Sequence, residues 1–519
     1  MINFVKNKSL IFLLILSCFW IIIRLFGVTN PLIDAQFWRQ TDTASIARNF
    51  YEEDFNILHP RVNWRGDTEG FVESEFPIYS FLIASFYKIS GKVNDSAGRI
   101  LSLLFSLGTA ITLYLFVLRI FDRRTAVLSY LFFMLSPLSI YYSITFMPDS
   151  MMIFFYLQSL YLFYRWVYDN KSIFWISSCG SLAISLLIKP TAIFVFIPML
   201  AILWEKEGKK FISGKRPVIL YLVLASAPSI LWYLHAYKLF MITDLSFGIL
   251  AGQTYNKFAS VSILLSSKFW QVILNNIFSI HLTPVGATLF FIALSLGIFE
   301  ENLIKANRFL YYWVGSVFLF ILVVAEGNMT LEYYQLFLIP VASIFCARFV
   351  IYLLDELSLN YKAQISLIIT IFFFIGLGSF FIVKKRLKPV KYTSNSYNFA
   401  RKIEHVTHNK DKFIVIDSPS FYPKEWYDKM KFRIRRPSLL YFLNRKGWVF
   451  LPHEMNAMSA SDFYSIIKKG ARYFVLPKEI EETYSGIAQF IRKNRYQIID
   501  EDSFFTLYKL YCSIDDQNE

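Results

Sequence analysis

Long apolar runs separated by short polar or basic stretches fill the chain as far as about residue 383. Candidate spans lie at 10–28, 76–89, 100–118, 126–138, 150–167, 173–188, 191–204, 218–237, 283–299, 309–325, 336–353 and 365–383. Many approach the roughly 17–25 residues that an α-helix needs to cross a bilayer, and the shorter ones suit tilted or re-entrant segments. The pattern predicts an α-helical polytopic membrane protein with on the order of 11–13 transmembrane helices. Beyond residue 383 the period changes. Residues 413–417, 472–476, 496–500 and 504–510 read as strands, and 461–469 reads as a helix ended by Gly470. The expected organisation is a membrane domain over 1–383, with an external loop at 30–75 that carries a juxtamembrane helix, and a small soluble α/β domain over 384–519.

Composition agrees with the pattern. Of the 519 residues 55% are hydrophobic and 19% aromatic, against roughly 45–50% apolar in soluble domains. The net charge of +15 fits lysines and arginines at cytoplasmic loops and lipid headgroups, and nucleic acid is excluded as a partner. Cys18, Cys179, Cys346 and Cys512 are scattered, which supports neither a disulfide framework nor a thiolate metal site. Lys6 and Lys8 precede the first apolar run, which continues to Val28 without a small-residue cleavage pattern, so it reads as a retained helix.

The basic loops set the orientation. Lys206, Lys209, Lys210, Lys215 and Arg216 place 205–217 in the cytoplasm, and 119–124 is a second such loop. Counting outward puts 147–150, 244–281 and 326–335 on the external face, with the C-terminal domain there also. Parity fails by one between residues 10 and 119 if every block crosses; a non-crossing 76–89 segment resolves it.

Candidate chemistry gathers on that face. Ile46, Ala47, Phe50 and Tyr51 form one helical face in 41–54; Asp42 lies on it, with Arg39 and Gln40 as neighbouring partners. The ordinary reading of Asp42 is a helix cap. Glu73 and Glu75 lie just ahead of Pro77 and the next apolar block, and Pro148-Asp149 opens another; each acid has the same ordinary reading. Lys189-Pro190 interrupts two short blocks, where a lysine either snorkels to the interface or meets a lipid phosphate. Glu332-Tyr333-Tyr334-Gln335 precedes the 336–353 span, and paired tyrosines there fit the aromatic belt of a membrane protein. His59, His235 and His281 form no ligand spacing, and no glycine-rich phosphate loop is visible.

Taken in order, these motifs resemble the GT-C membrane glycosyltransferases of the dolichyl-phosphate-mannose protein mannosyltransferase and aminoarabinose transferase superfamily. The matching residues are Arg39-Gln40-Thr41-Asp42 in a juxtamembrane helix, Glu75-Phe76-Pro77, Pro148-Asp149, Lys189-Pro190, and Tyr333-Tyr334 ahead of Pro340. The sequence departs from the family's adjacent acids in the first loop, since Thr43 follows Asp42 and Asp34 competes for the same role. It also lacks a clear histidine partner for the glutamate, so a divalent cation, with Glu75 as its ligand, stays open.

The resemblance implies an inverting sugar transfer from a polyprenyl-phosphate donor to a lipid, glycan or protein acceptor at the external face of the cell (inner) membrane. Asp42, or Asp34, would be the general base, and Glu75 would orient the acceptor. Lys189, Arg99 and Arg39 would neutralise the departing phosphate, with Asp149 positioning one of these cations. Gln40, Glu73, Tyr333 and Tyr334 complete the expected substrate contacts. A transporter or flippase of lipid-linked sugars is the alternative; a receptor-like protein working through its C-terminal domain is a third reading.

Overall fold

The structure is a computed structural model. It describes residues 17–511 except 19, 20, 23, 26, 209–217, 251–256, 301–303, 305, 306, 358, 359, 418–437, 484, 485, 487–489, 492 and 495. Much of the first candidate span, most of the 205–217 loop and Cys512 lie outside the described residues. Two compact units emerge, both discontinuous in sequence. The first comprises Met1–Thr29, Ser96–Trp232 and Asn256–Leu387, and the second Asn30–Asp95, Tyr233–Tyr255 and Lys388–Glu519.

The first unit is a helical bundle. Among the described residues, Ser96–Ile120, Val218–Thr243, Glu332–Glu356 and Tyr361–Leu387 are long and apolar enough to cross a membrane. Their burial differs sharply. The apolar window of Glu332–Glu356 is 89% buried, whereas that of Tyr361–Leu387 is 11% buried and presents Ile369, Phe373, Phe380 and Phe381 outward. The first is a central helix and the second a lipid-facing one. Small residues permit close helix approach: a Cβ added at Gly98 would overlap the ring of Phe146, and one at Gly108 the ring of Phe154.

Two features were not visible as simple spans. The block at 126–138 divides at Ser136-Pro137 into Arg123–Leu135 and Pro137–Tyr142, because Pro137 cannot donate to the preceding turn. The region 244–281, expected as an external loop, contains the helix Ser267–Asn276 and a π-helical turn Ile277–His281. That turn bends by 115° into Thr283–Ile298, and Thr283 takes a φ of 63° at the corner. Together the bent pair is a broken span or a re-entrant segment.

The irregular stretch 143–148, between the helices Pro137–Tyr142 and Asp149–Asp169, is wholly buried. Backbone without regular hydrogen bonding is tolerated inside a membrane protein only where protein groups satisfy it. Here Ser102 Oγ donates to Thr145 O at 2.7 Å and to Met147 O at 3.2 Å, and Ser150 Oγ to Tyr142 O at 2.8 Å, while Arg24 Nη2 donates to Met134 O at the end of the preceding helix at 2.7 Å.

The second unit is built on a five-stranded sheet. The strands are β1 (Lys412–Ile416), β2 (Lys446–Phe450), β3 (Ala471–Pro477), β4 (Gln497–Glu501) and β5 (Phe505–Lys509), in the order β2-β1-β3-β5-β4. The first three are parallel; β5 is antiparallel to β3 and to β4. Alternate side chains of β1 point to opposite faces, as the strand period requires. Ile414 and Ile416 join Phe463, Ile467 and Phe474, while Phe413 and Val415 join Phe399, Leu440 and Leu507. Covering both faces is why 413–416 reads as an unbroken apolar run.

Sequence-distant residues 30–95 belong to this unit for a physical reason. Gly447 N donates to Asn63 O at 3.1 Å, and Gly66 N to Gly447 O at 2.8 Å, so the first polar loop satisfies the outer edge of β2. Gly447 is required there. Its φ is 158°, and an added Cβ would sit on the Phe413 backbone.

Candidate functional site

In the second unit the central element is the helix Phe37–Glu52. It begins earlier than the 41–54 periodicity predicts and has no side-chain cap at Gln36. Its apolar face behaves as expected, with Ile46 and Phe50 packed on Val62, Val72 and Ala84. The other faces are also buried, including Arg39, Gln40, Thr41, Thr43, Ser45 and Asn49. Periodicity could not show this, since the covering groups come from residues 60–73 and from the C-terminal segment.

Asp34 stands at the start of this helix. Its backbone oxygen accepts from Phe37 N at 2.9 Å, and its Oδ1 accepts from Gln40 Nε2 at 2.7 Å and Gln36 N at 3.4 Å. Arg39 Nη2 donates to Glu75 Oε2 at 2.5 Å, and its guanidinium lies 5.2 Å from the Phe247 ring. Arg39 and Gln40 therefore turn toward Glu75 and Asp34 rather than hydrogen-bonding to Asp42. Glu73 is wholly buried and accepts from Ser246 Oγ at 2.5 Å, Leu250 N at 2.9 Å and Ile249 N at 3.3 Å. In this structure Glu73 fastens the 246–250 segment.

Asp42 sits in the second turn of the helix, past the reach of a cap. Its Oδ1 accepts from Trp64 Nε1 at 3.3 Å. A narrow cleft lined by Thr41, Asp42, Ser45, Asn63, Trp64 and Tyr441 surrounds it. Asn63 locks one wall by accepting from Ser45 Oγ at 2.9 Å and Asn49 Nδ2 at 3.0 Å. Tyr441 forms another wall. Its hydroxyl donates to Asp95 Oδ1 at 2.5 Å, and the Arg48 guanidinium lies 4.2 Å from its ring centre. Burial pushes the Asp42 carboxyl up to about 7, against the opposing pull of the Arg39 charge and the Trp64 hydrogen bond.

That shift has a sign. The folded protein holds a proton on Asp42 that the unfolded chain releases near 3.8, so this contribution to stability is complete below about 4 and is lost as pH rises through about 7. Asp42→Asn removes the dependence. The difference in unfolding free energy between wild type and variant should grow in the variant's favour from pH 5 to pH 8, by an amount on the order of a few kcal/mol.

In the first unit the sequence-predicted residues Asp149, Lys189 and Tyr333 converge. Asp149 opens the helix Asp149–Asp169 and is fully buried. Lys189 falls at the junction of Ser172–Ile188 and the 3₁₀ turn Pro190–Val195, and its Nζ is ion-paired with Asp149 Oδ1. The same Nζ lies 4.3 Å from the Tyr333 ring centre and 5.4 Å from that of Tyr334. Lys189 therefore does not snorkel, and Tyr333, only 4% exposed, is no belt residue. Of the alternatives the sequence left open, the snorkelling lysine and the belt tyrosine do not hold, because the turn Glu332–Phe337 brings the rings of Tyr333 and Tyr334 against the Lys189 ammonium. Arg99 is also buried, and its Nη1 donates to Gly27 O at 2.8 Å.

Sequence reasoning did not assign Trp64, Asn63 and Tyr441 to the first of these sites, nor Tyr142 and Arg386, both of which contact Glu332 beside Tyr333, to the second. Arg386 carried a weak signal, as one of three basic residues (Lys384, Lys385, Arg386) that close an apolar span. The others carried none.

A divalent cation does not fit the residues present. The Glu75 carboxylate faces Arg39, and among the described residues no group of three or more His, Cys, Asp or Glu side chains is arranged to hold a metal. His59 and His235 approach to 6.1 Å between ring centres, without a carboxylate to complete a site.

Residues 74–232 match the family described as dolichyl-phosphate-mannose-protein mannosyltransferase. No curated protein matches the sequence. Among solved structures, ArnT from Cupriavidus metallidurans in the apo state is similar at 12% identity and a TM-score of 0.65, covering 97% of this chain and 99% of that one. The same protein bound to undecaprenyl phosphate gives 11% identity and a TM-score of 0.63, covering 96% and 98%. The apo oligosaccharyltransferase of Archaeoglobus fulgidus gives 12% and 0.56, covering 91% and 70%. At such identities the likeness is one of fold. From end to end, then, the chain is a polytopic membrane protein with the GT-C glycosyltransferase fold, and its residues 74–232 carry the mannosyltransferase family's sequence pattern.

Proposed function

We propose that the protein transfers a sugar from a polyprenyl-phosphate donor to an acceptor at the external face of the cell membrane, inverting the anomeric centre. The observation that carries the reading is Asp42: a buried carboxyl pushed up to about 7, set in a narrow cleft walled by Trp64 and Tyr441. A general base works best when its pKa lies near the operating pH. Asp42 takes the proton of the acceptor nucleophile as that atom bonds to the anomeric carbon, and the glycosidic electron pair leaves with the lipid phosphate. Asp34 is the second candidate for the base. Lys189, oriented by Asp149, supplies positive charge for the departing phosphate. Arg99, in the same unit as Lys189, is a further cation for that anion, and in the other unit Glu75 keeps Arg39 in place. In this reading the C-terminal segment lies outside the cytoplasm with the first polar loop. Support comes from the family match and from a structurally similar protein solved with undecaprenyl phosphate.

The test uses purified protein in proteoliposomes with radiolabelled polyprenyl-phosphate sugars and a panel of lipid, glycan and peptide acceptors. New covalent sugar–acceptor product is expected. Movement of intact donor across the bilayer without any product would replace the enzyme reading with a flippase.

A further inference from the structure

We infer that Glu332 and Arg386 form a positioning pair that sets the environment of Lys189, an inference that rests on the donor reading above. Arg386 lies at the end of the helix Tyr361–Leu387 and is ion-paired with Glu332 Oε1. Both side chains are about as enclosed, at 15% and 14% exposure. Two tyrosines brace the pair. Tyr142 donates its hydroxyl to the same Glu332 oxygen at 2.9 Å, and the Arg386 guanidinium lies 4.6 Å from the Tyr141 ring centre.

Glu332 opens the short turn Glu332–Phe337, and the next two residues are the tyrosines beneath Lys189. The Tyr142 ring also meets the Tyr333 ring at 5.9 Å, edge to face. A turn of this length has too few internal hydrogen bonds to hold its own shape. Its C-terminal end is fixed where it runs directly into the helix Leu338–Glu356, and its N-terminal end is placed by the ion pair and by aromatic contacts along it. Asp149 and the faces of Tyr333 and Tyr334 together define where the ammonium points. Loosening the turn removes two of those three constraints while leaving the Asp149–Lys189 pair intact. The property expected to suffer is recognition of the donor's anion rather than the chemical step. Glu332 and Arg386 act through Lys189, so they are positioning residues rather than catalytic ones.

The experiment uses full-length protein in lipid nanodiscs, with undecaprenyl phosphate as the binding probe. The variants are Glu332→Gln, Arg386→Lys, Tyr142→Phe and the exchanged pair Glu332→Arg with Arg386→Glu. Glu332→Gln is expected to weaken probe binding about tenfold or more, as loss of one partner of a buried pair does, with donor KM rising more than kcat falls. Tyr142→Phe, which removes a single hydrogen bond, is expected to weaken binding by roughly three- to tenfold. The exchanged pair is expected to recover most of the lost affinity, which a disrupted bundle would not do. If Glu332→Gln does not fold, Tyr142→Phe and Arg386→Lys carry the test through the same KM-against-kcat split. Unchanged probe affinity in the folded variants, while wild type binds, overturns this inference alone. A wild-type protein that binds no undecaprenyl phosphate overturns the donor reading and this inference with it.

Discussion

Replacing Asp42 with Asn is expected to cut sugar transfer by about 10²–10⁴-fold, the usual contribution of a positioned acid–base group. The substitution keeps the shape of the side chain and its ability to accept from Trp64 Nε1, so the loss reports chemistry rather than packing. The pH profile separates base from bystander. With Asp42 pushed up to about 7, the wild-type kcat should rise with pH through that value and then level. Residual activity of the Asn variant should lack this limb. Asp34→Asn serves as the paired control. Its Oδ1 is taken by Gln40 and Gln36, an arrangement an asparagine oxygen can preserve, so a loss below about tenfold is expected from one altered neutral-acceptor contact. An active Asp42→Asn beside an inactive Asp34→Asn would transfer the role to Asp34.

The second large effect concerns the Asp149–Lys189 pair. Asp149→Ala leaves the Lys189 ammonium enclosed without its carboxylate, in a site where its side chain is 8% exposed. Breaking a buried ion pair by removing one partner costs about 3–5 kcal/mol, because the remaining charge keeps its desolvation penalty. Lys189→Met strands the carboxylate in the same way. Removing both charges in Asp149→Leu with Lys189→Met is expected to be less destabilising than either single change, since an apolar pair leaves nothing unsatisfied. Equilibrium unfolding in mixed detergent micelles measures the stabilities, and the transfer assay runs alongside. The double variant should be folded and inactive. A double variant that is as unstable as the singles would mean that the site cannot accept apolar side chains and that the ion pair is not what the singles report. A folded and active double variant would remove Lys189 from the reaction.

Several parts of this protein are written in its local sequence. Apolar runs located the long apolar helices such as Ser96–Ile120, Asp149–Asp169 and Thr283–Phe299 to within a few residues, though not Ser267–Asn276 or Lys391–Ile403, because in a bilayer a segment must satisfy its own backbone. The strand signals at 413–417, 472–476 and 504–510 held for a related reason: a buried sheet asks for unbroken apolar residues whichever neighbours it finds. The acids and the lysine that proved interesting were also visible one by one, as charges costly to place near lipid.

Other features belong to the tertiary structure alone. The grouping of residues 30–95 with the C-terminal sheet depends on backbone hydrogen bonds at the edge of β2, which no hydropathy pattern encodes. Trp64, Asn63 and Tyr441 acquire a role only because loop and C-terminal helix meet around Asp42. Likewise the choice between a belt tyrosine and one that faces Lys189 was settled by a six-residue turn, and turn direction is set by long-range contacts such as Glu332 with Arg386. The sequence determined which segments are apolar enough to enter a membrane and which charges are costly there, since both are properties of a segment with its solvent. Which of those charges face one another is a property of pairs far apart in the chain, and only the folded arrangement decided it.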